Sequence, residues 1–156
     1  MEMDFQEPIA SFARSWGMVE TLFEEYAKSV NLSYMSLKVL EVLYMHQEGC
    51  TQKQIAEECF FTKQSINLII KGFWQQEYVV LQEQAHDRRI KTVLLTESGK
   101  QYAAQIIGPL QQDVYNALMS IDEPKRIAFL EGFADYANYI KNLGVTQETI
   151  KRRNEL

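Results

Sequence analysis

The chain has 156 residues, 46% hydrophobic and 12% aromatic, which excludes a disordered polymer and suffices for one ordinary domain or one domain with a helical extension. Lys and Arg number 16 against 21 Asp and Glu, a net charge of −5, so a basic nucleic-acid coat is excluded and DNA could be met only through a local positive face. The chain has no apolar run of about 18 residues for a membrane span and no basic-then-apolar leader at MEMDFQEPIASF, while Cys50 and Cys59 form no disulfide framework and fit a reducing cytoplasm.

Phe5, Ile9, Phe12, Trp16, Val19, Phe23, Tyr26 and Val30 alternate spacings of four and three, the seam of one long helix with Pro8 in its first turn. So long a seam beside a small domain suits packing against other helices, including those of a second chain. A core helix of a monomer has the same pattern. Ser33 is placed to cap a second helix, from about Tyr34 to His46, with Leu37, Leu40, Leu43 and Tyr44 inward and Gly49 past its stop. Thr51 and Gln54 form a Thr-x-x-Gln capping box for a third helix, which buries Ile55, Ala56 and Cys59.

After an apolar turn at Phe60-Phe61, Thr62 caps a fourth helix, from about Lys63 to Gln76. Ile66, Ile69, Ile70 and Phe73 share one face of it, and Lys63, Gln64, Asn67 and Lys71 another. Val79-Val80-Leu81 and Thr92-Val93-Leu94-Leu95 are β-rich runs joined by a polar segment, Gln82 to Lys91, which predicts a hairpin. Thr96-Glu97-Ser98-Gly99 opens a fifth helix to about Met119, which Gly108-Pro109 should kink or split. Asp122 caps a sixth, from Pro124 to about Leu143, with Ile127, Leu130, Phe133, Ala137 and Ile140 as its seam and Gly144 as its stop. The tail, Val145 to Leu156, is polar and reads as frayed or a short helix.

Catalytic chemistry finds no footing. The chain lacks a glycine-rich phosphate loop, a Gly-x-Ser-x-Gly elbow and a His-Glu-x-x-His motif, so neither an enzyme nor a cofactor is expected. His46 and Cys50 have the spacing of two metal ligands on a helix, but Gly49 interrupts it and no third ligand stands near, so no metal is expected. Cys59, beside Glu57 and Glu58, reads as a small core residue and not as a redox sensor. Phe12, Trp16, Tyr34, Met35 and Tyr44 are candidates to line a small-molecule pocket between the first two helices; core packing accounts for them equally well.

The fourth helix has the makings of a DNA reader. Lys63, Gln64, Ser65 and Asn67 place polar and basic side chains on its N-terminal half, where base edges are met. Gln and Asn match adenine, Lys reaches guanine or phosphate, and Thr62 at the helix start can offer a backbone N–H to a phosphate. A solvated surface helix has a similar composition. The hairpin tip, His86-Asp87-Arg88-Arg89-Ile90-Lys91, adds three positive charges suited to phosphate or a narrow minor groove. Asp87 is placed to pair with one of the arginines and orient it. Lys53, on the third helix, could touch the backbone. A helix-turn-helix followed at once by such a hairpin favours double-stranded DNA over the rival reading, a winged-helix adaptor that binds another protein.

The segment resembles the winged helix-turn-helix of the MarR family of bacterial transcription regulators. Asp87-Arg88-Arg89, then Leu95-Thr96 and Gly99, match the family's wing signature of Asp-x-Arg, a strand and Leu-Thr-x-x-Gly. Thr51-Gln52-Lys53-Gln54-Ile55-Ala56 matches the opening of its first helix-turn-helix helix, and Thr62-Lys63-Gln64-Ser65 the start of its recognition helix. Trp74-Gln75-Gln76-Glu77-Tyr78 departs from the family's charged, glycine-containing end of that helix, and Gln84-Ala85-His86 from its acidic, proline-containing lead into the wing. The resemblance implies a mainly α fold with a small β-hairpin wing: one domain over 1–156, with a winged core at about 34–99 and dimerisation helices at about 7–30 and 100–143. It also implies a homodimeric, ligand-responsive repressor on a near-palindromic operator, with a small aromatic effector as a possible partner and no membrane.

Overall fold

Four polar side chains set where the helices of the winged core begin. The computed structural model of the chain describes residues 5–142. In it Ser33 Oγ accepts from the Ser36 N–H (3.0 Å) and opens α2, Tyr34–Met45, which follows α1, Gln6–Ser29. Thr51 Oγ1 accepts from the Gln54 N–H (3.2 Å) while Gln54 Oε1 accepts from the Thr51 N–H (2.8 Å), the reciprocal box that opens α3, Gln52–Cys59. Thr62 Oγ1 accepts from the Ser65 N–H (3.2 Å) and opens α4, Lys63–Gln75. Each such cap is worth about 1 kcal/mol.

The remaining elements are β1 (Cys50–Thr51), β2 (Val79–Glu83), β3 (Lys91–Leu95), α5 (Glu97–Met119) and α6 (Glu123–Asn142). The result is a mainly helical fold with a three-stranded antiparallel sheet in the order β1-β3-β2. The chain forms two compact units that divide after Pro109. The expected helix end at Leu143, the stop at Gly144 and the tail from Val145 to Leu156 lie outside the described residues.

In the first unit Leu37, Leu40, Leu43, Ile55, Ile66, Ile70, Val79, Val93 and Ile107 are fully buried. Val39 and Val42 are buried too, although no single seam on α2 would include them. α2 packs against α1, α3, α4 and β3, and a helix enclosed by its neighbours is apolar around most of its circumference. Tyr44, expected inward, is only half-buried.

The α2–β1 connection corrects one expectation. α2 ends at Met45, and Gly49 is not its cap; His46 is. Gly49 adopts φ +85° at the threshold of β1, and a Cβ there would stand 2.9 Å from the Val93 carbonyl oxygen. β1 itself, with Cys50 opposite Val93 and Thr51 opposite Thr92, has no signature in the sequence, because two residues are too few to show an alternation.

Where α4 hands over to β2, the Leu-Thr-x-x-Gly signature acquires a physical reason. Thr96 Oγ1 donates to the Glu77 carbonyl (2.7 Å) and accepts from the Gly99 N–H (3.0 Å), so one hydroxyl ties the start of α5 to the α4–β2 turn. A Cβ on Gly99 would fall 1.9 Å from the Tyr78 carbonyl oxygen. Glu77, just past the end of α4, adopts φ +61°, in the left-handed region that favours glycine. That conformation costs a non-glycine residue about 1–2 kcal/mol, against about 0.5–1 kcal/mol of extra chain entropy lost by glycine. Glu77→Gly should therefore stabilise the protein by up to about 1 kcal/mol, read as a higher urea midpoint at unchanged slope. A lowered midpoint would mean that the Glu77 side chain itself contributes.

α5 continues through Pro109, so the proline does not split the helix. The seam of α1 is largely uncovered: Ala27 is its one buried residue, and Trp16 remains 49% exposed. Its C-terminal end is anchored by the Tyr26 hydroxyl, which donates to the Ile106 carbonyl (2.5 Å). In the second unit α6 buries none of its residues; Ile127, Leu130 and Phe133 all lie exposed.

Candidate nucleic-acid interface

α4 is amphipathic because Ile66, Ile70 and Phe73 point into the core. The opposite side then carries Lys63, Gln64, Asn67 and Lys71 into solvent. Thr62 spends its hydroxyl on the cap and on the Ser65 hydroxyl (2.9 Å). Ser65 is half-buried and lines a depression behind α4 together with Met35 and Phe73. Of the residues expected to face DNA, Ser65 is the one turned toward the protein. Leu68, which the sequence reading passed over, borders the same depression but is 72% exposed on the outward side of α4. Its signal was positional, four residues on from Gln64 and outside the Ile66–Ile70–Phe73 seam.

The hairpin tip is held by its own backbone. Gln84 N–H donates to the Ile90 carbonyl (3.1 Å), and Ile90 N–H donates to the Asp87 carbonyl (3.0 Å). Asp87 Oδ1 accepts from the Arg89 N–H (2.9 Å). Asp87 thus shapes the turn through the main chain, the usual work of an Asp there, and does not pair with a guanidinium as expected. Among the described residues no carboxylate lies within 4.0 Å of the charged groups of Lys63, Lys71, Arg88, Arg89 or Lys91.

Tertiary structure brings four cations to one place. Lys53, Lys63, Arg89 and Lys91 line a groove of about 340 Å3, floored by Thr51, Gln52 and Ile90. β1 is the reason. It joins directly to α3 and pairs with β3, so the start of the wing's return strand is laid beside the start of α3. Lys53 has a weak companion in Glu57 (3.8 Å). Lys71 and Arg88 lie outside the groove, farther along α4 and at the loop tip. Lys63, Arg89 and Lys91, without carboxylate partners among the described residues, carry mutual repulsion that a polyanion relieves, on a chain of net charge −5.

Of the five residues expected to line a ligand pocket, two meet in one depression. Trp16 and Tyr34 line a depression of about 160 Å3 with Val19, Glu20, Phe23 and Lys38. Phe12 stacks on Trp16, ring centroids 6.1 Å apart. Met35 belongs to the separate depression of about 460 Å3 behind α4, and Tyr44 lines neither. Helical spacing put all five near the α1–α2 contact but did not fix which way each points.

Both thiols are buried. Burial is the main cause that pushes Cys50 up to about 11, with Glu58 and Cys59 adding to it. Cys59 also rises to about 11, burial outweighing the opposing pull of Lys38. Neither is a thiolate at neutral pH, the form that reacts. His46, expected to bind no metal, lies 2.8 Å from Glu58.

Residues 30–90 match the model of the MarR family. Among solved structures the chain is similar to NMB1585, a MarR family regulator from Neisseria meningitidis, with 25% identity over 94% of this chain and 98% of that one and a TM-score of 0.71. Streptococcus pneumoniae FabT, solved in complex with DNA, shares the fold at a TM-score of 0.74 and 15% identity, over 90% of this chain and 99% of that one. The Staphylococcus aureus MepR–DNA complex shares it at 0.70 and 15% identity, over 82% and 97%. No curated protein matches the chain in sequence.

Proposed function

We propose, from the match of residues 30–90 to the model of the MarR family, that the chain is a sequence-specific, double-stranded-DNA-binding transcriptional regulator, a homodimeric repressor responsive to a small ligand. The observation that carries this reading is the four-cation groove between α3, α4 and the wing. With Gln64 and Asn67 in a major groove and Arg88 at the adjacent minor groove, Lys53, Lys63, Arg89 and Lys91 sit over the sugar-phosphate ridge between them.

The winged core, about 34–99, does the binding, and the helices at about 7–30 and 100–143 hold two copies together. The uncovered seams of α1 and of α6 support this, since apolar faces of that length are covered by other protein. A two-fold dimer places its recognition helices roughly 34 Å apart, one turn of DNA, on a near-palindromic operator. A small aromatic effector at Trp16 and Tyr34 must bind one helix spacing better than another in order to act. A 100-fold loss of operator affinity then needs only about 2.7 kcal/mol of coupling. Repression and a cytoplasmic site of action follow the family pattern.

Gel shift with random duplex is the direct test. At 50 mM salt the protein should bind, and with about eight phosphates neutralised per dimer the log–log salt slope should be about −7. A protein–protein adaptor, the reading that the acidic balance favours, would leave the duplex unshifted even at 50 mM. Sedimentation should give twice the 18.2 kDa chain mass; a stable monomer at micromolar concentration would remove the dimer.

A further inference from the structure

The proposed DNA-binding surface also states a base preference. Leu68 lies on the outward side of α4, next to Asn67, one turn on from Gln64 and one turn before Lys71, with 72% of its surface exposed. The helix needs no further apolar anchor, since Ile66, Ile70 and Phe73 are buried without it. Leu68 also borders the depression behind α4, so its outer half is the part that faces a groove.

The apolar group that a major groove offers is the C5 methyl of thymine. Its neighbours on the helix point to the same base pair. Gln64 and Asn67, which flank Leu68 on the outward side, carry the amides that match adenine N6 and N7, and the residues of α4 that reach guanine are lysines, with no arginine among them. Its two lysines stand to either side of this cluster. We propose that Leu68 is a specificity-determining residue that reads a thymine methyl, and that the half-site beneath α4 is rich in A·T pairs. This rests on the DNA-binding reading and goes further, from duplex DNA to the base pairs recognised.

Deoxyuridine tests it, because it pairs as thymine does and lacks only the methyl group. A duplex selected for binding from a random pool would be resynthesised with each thymine replaced in turn. Wild-type protein should lose about fourfold affinity at one or more thymines in each half-site, the worth of one buried methyl group. Leu68→Ala, whose melting temperature checks that it folds, should bind the thymine and deoxyuridine duplexes equally. Indifference of the wild type at every thymine, an equal loss in the variant, or a selected half-site made of G·C pairs would each overturn the inference and leave DNA binding standing. Failure to bind any duplex would remove the parent reading, and this inference with it.

Discussion

Arg89→Ala should lower affinity for every duplex sequence by about 100-fold at low salt. Arg89 stands in the groove with Lys53, Lys63 and Lys91 and has no carboxylate partner among the described residues. A charge-assisted phosphate contact is worth about 1.5 kcal/mol or more, and a symmetric dimer loses two of them. The salt slope should flatten by about 2, since each phosphate released returns about 0.9 of a counterion. The readout separates this from a folding defect, because Arg89 is exposed and its backbone N–H, which holds the turn through Asp87, survives the substitution. Lys53→Ala provides the comparison. Lys53 already shares its charge with Glu57, so its removal should cost less. Equal binding by wild type and Arg89→Ala across a salt series would take the wing out of the mechanism.

Gly99→Ala should destabilise the fold by about 3 kcal/mol, at the upper end of what overpacking costs. The added Cβ would lie 1.9 Å from the Tyr78 oxygen and 2.8 Å from its carbonyl carbon. The backbone of Tyr78 cannot retreat freely. Its carbonyl accepts from Thr96 N–H (3.0 Å), its own N–H donates to Phe73 (2.9 Å), and its ring stacks on Tyr102 at 4.1 Å. Because Tyr78 leads into β2, the wing should shift as well, and residual folded protein should bind DNA less tightly. Gly72→Ala, inside α4, is the matched control: outside its own helix backbone and chain neighbours its Cβ would have nothing within 4 Å, and replacing a helical glycine should be neutral or stabilising by up to about 1 kcal/mol. A melting temperature for Gly99→Ala equal to wild type would show that the α4–β2 turn is not held as described.

What the sequence determined alone was local. Ser33, Thr51 and Thr62 satisfy N–H groups three residues away, so a cap is written within four letters. The seams of α1 and α4 are likewise periodic within one element. The wing signature was legible for a related reason: Asp87 folds its turn onto Arg89, and Thr96 caps Gly99, each within three residues.

Tertiary structure decided everything that depends on partners distant in the chain. Two residues of β1 are a strand only because Val93 and Thr92 lie opposite them, and that pairing alone brings Lys53 to Arg89 and Lys91. α2 is buried beyond any one seam because four elements surround it. Trp16 and Tyr34 meet in one depression while Met35 borders another, because helical spacing fixes a face to within a wide arc, while a cavity is defined by side chains arriving from other elements. Ser65 is half-buried and Leu68 exposed for the same reason: which flank of α4 meets solvent is set by what packs behind it. Short-range hydrogen bonds and periodicity are properties of a string; convergence of charges is a property of how its distant parts are brought to lie together.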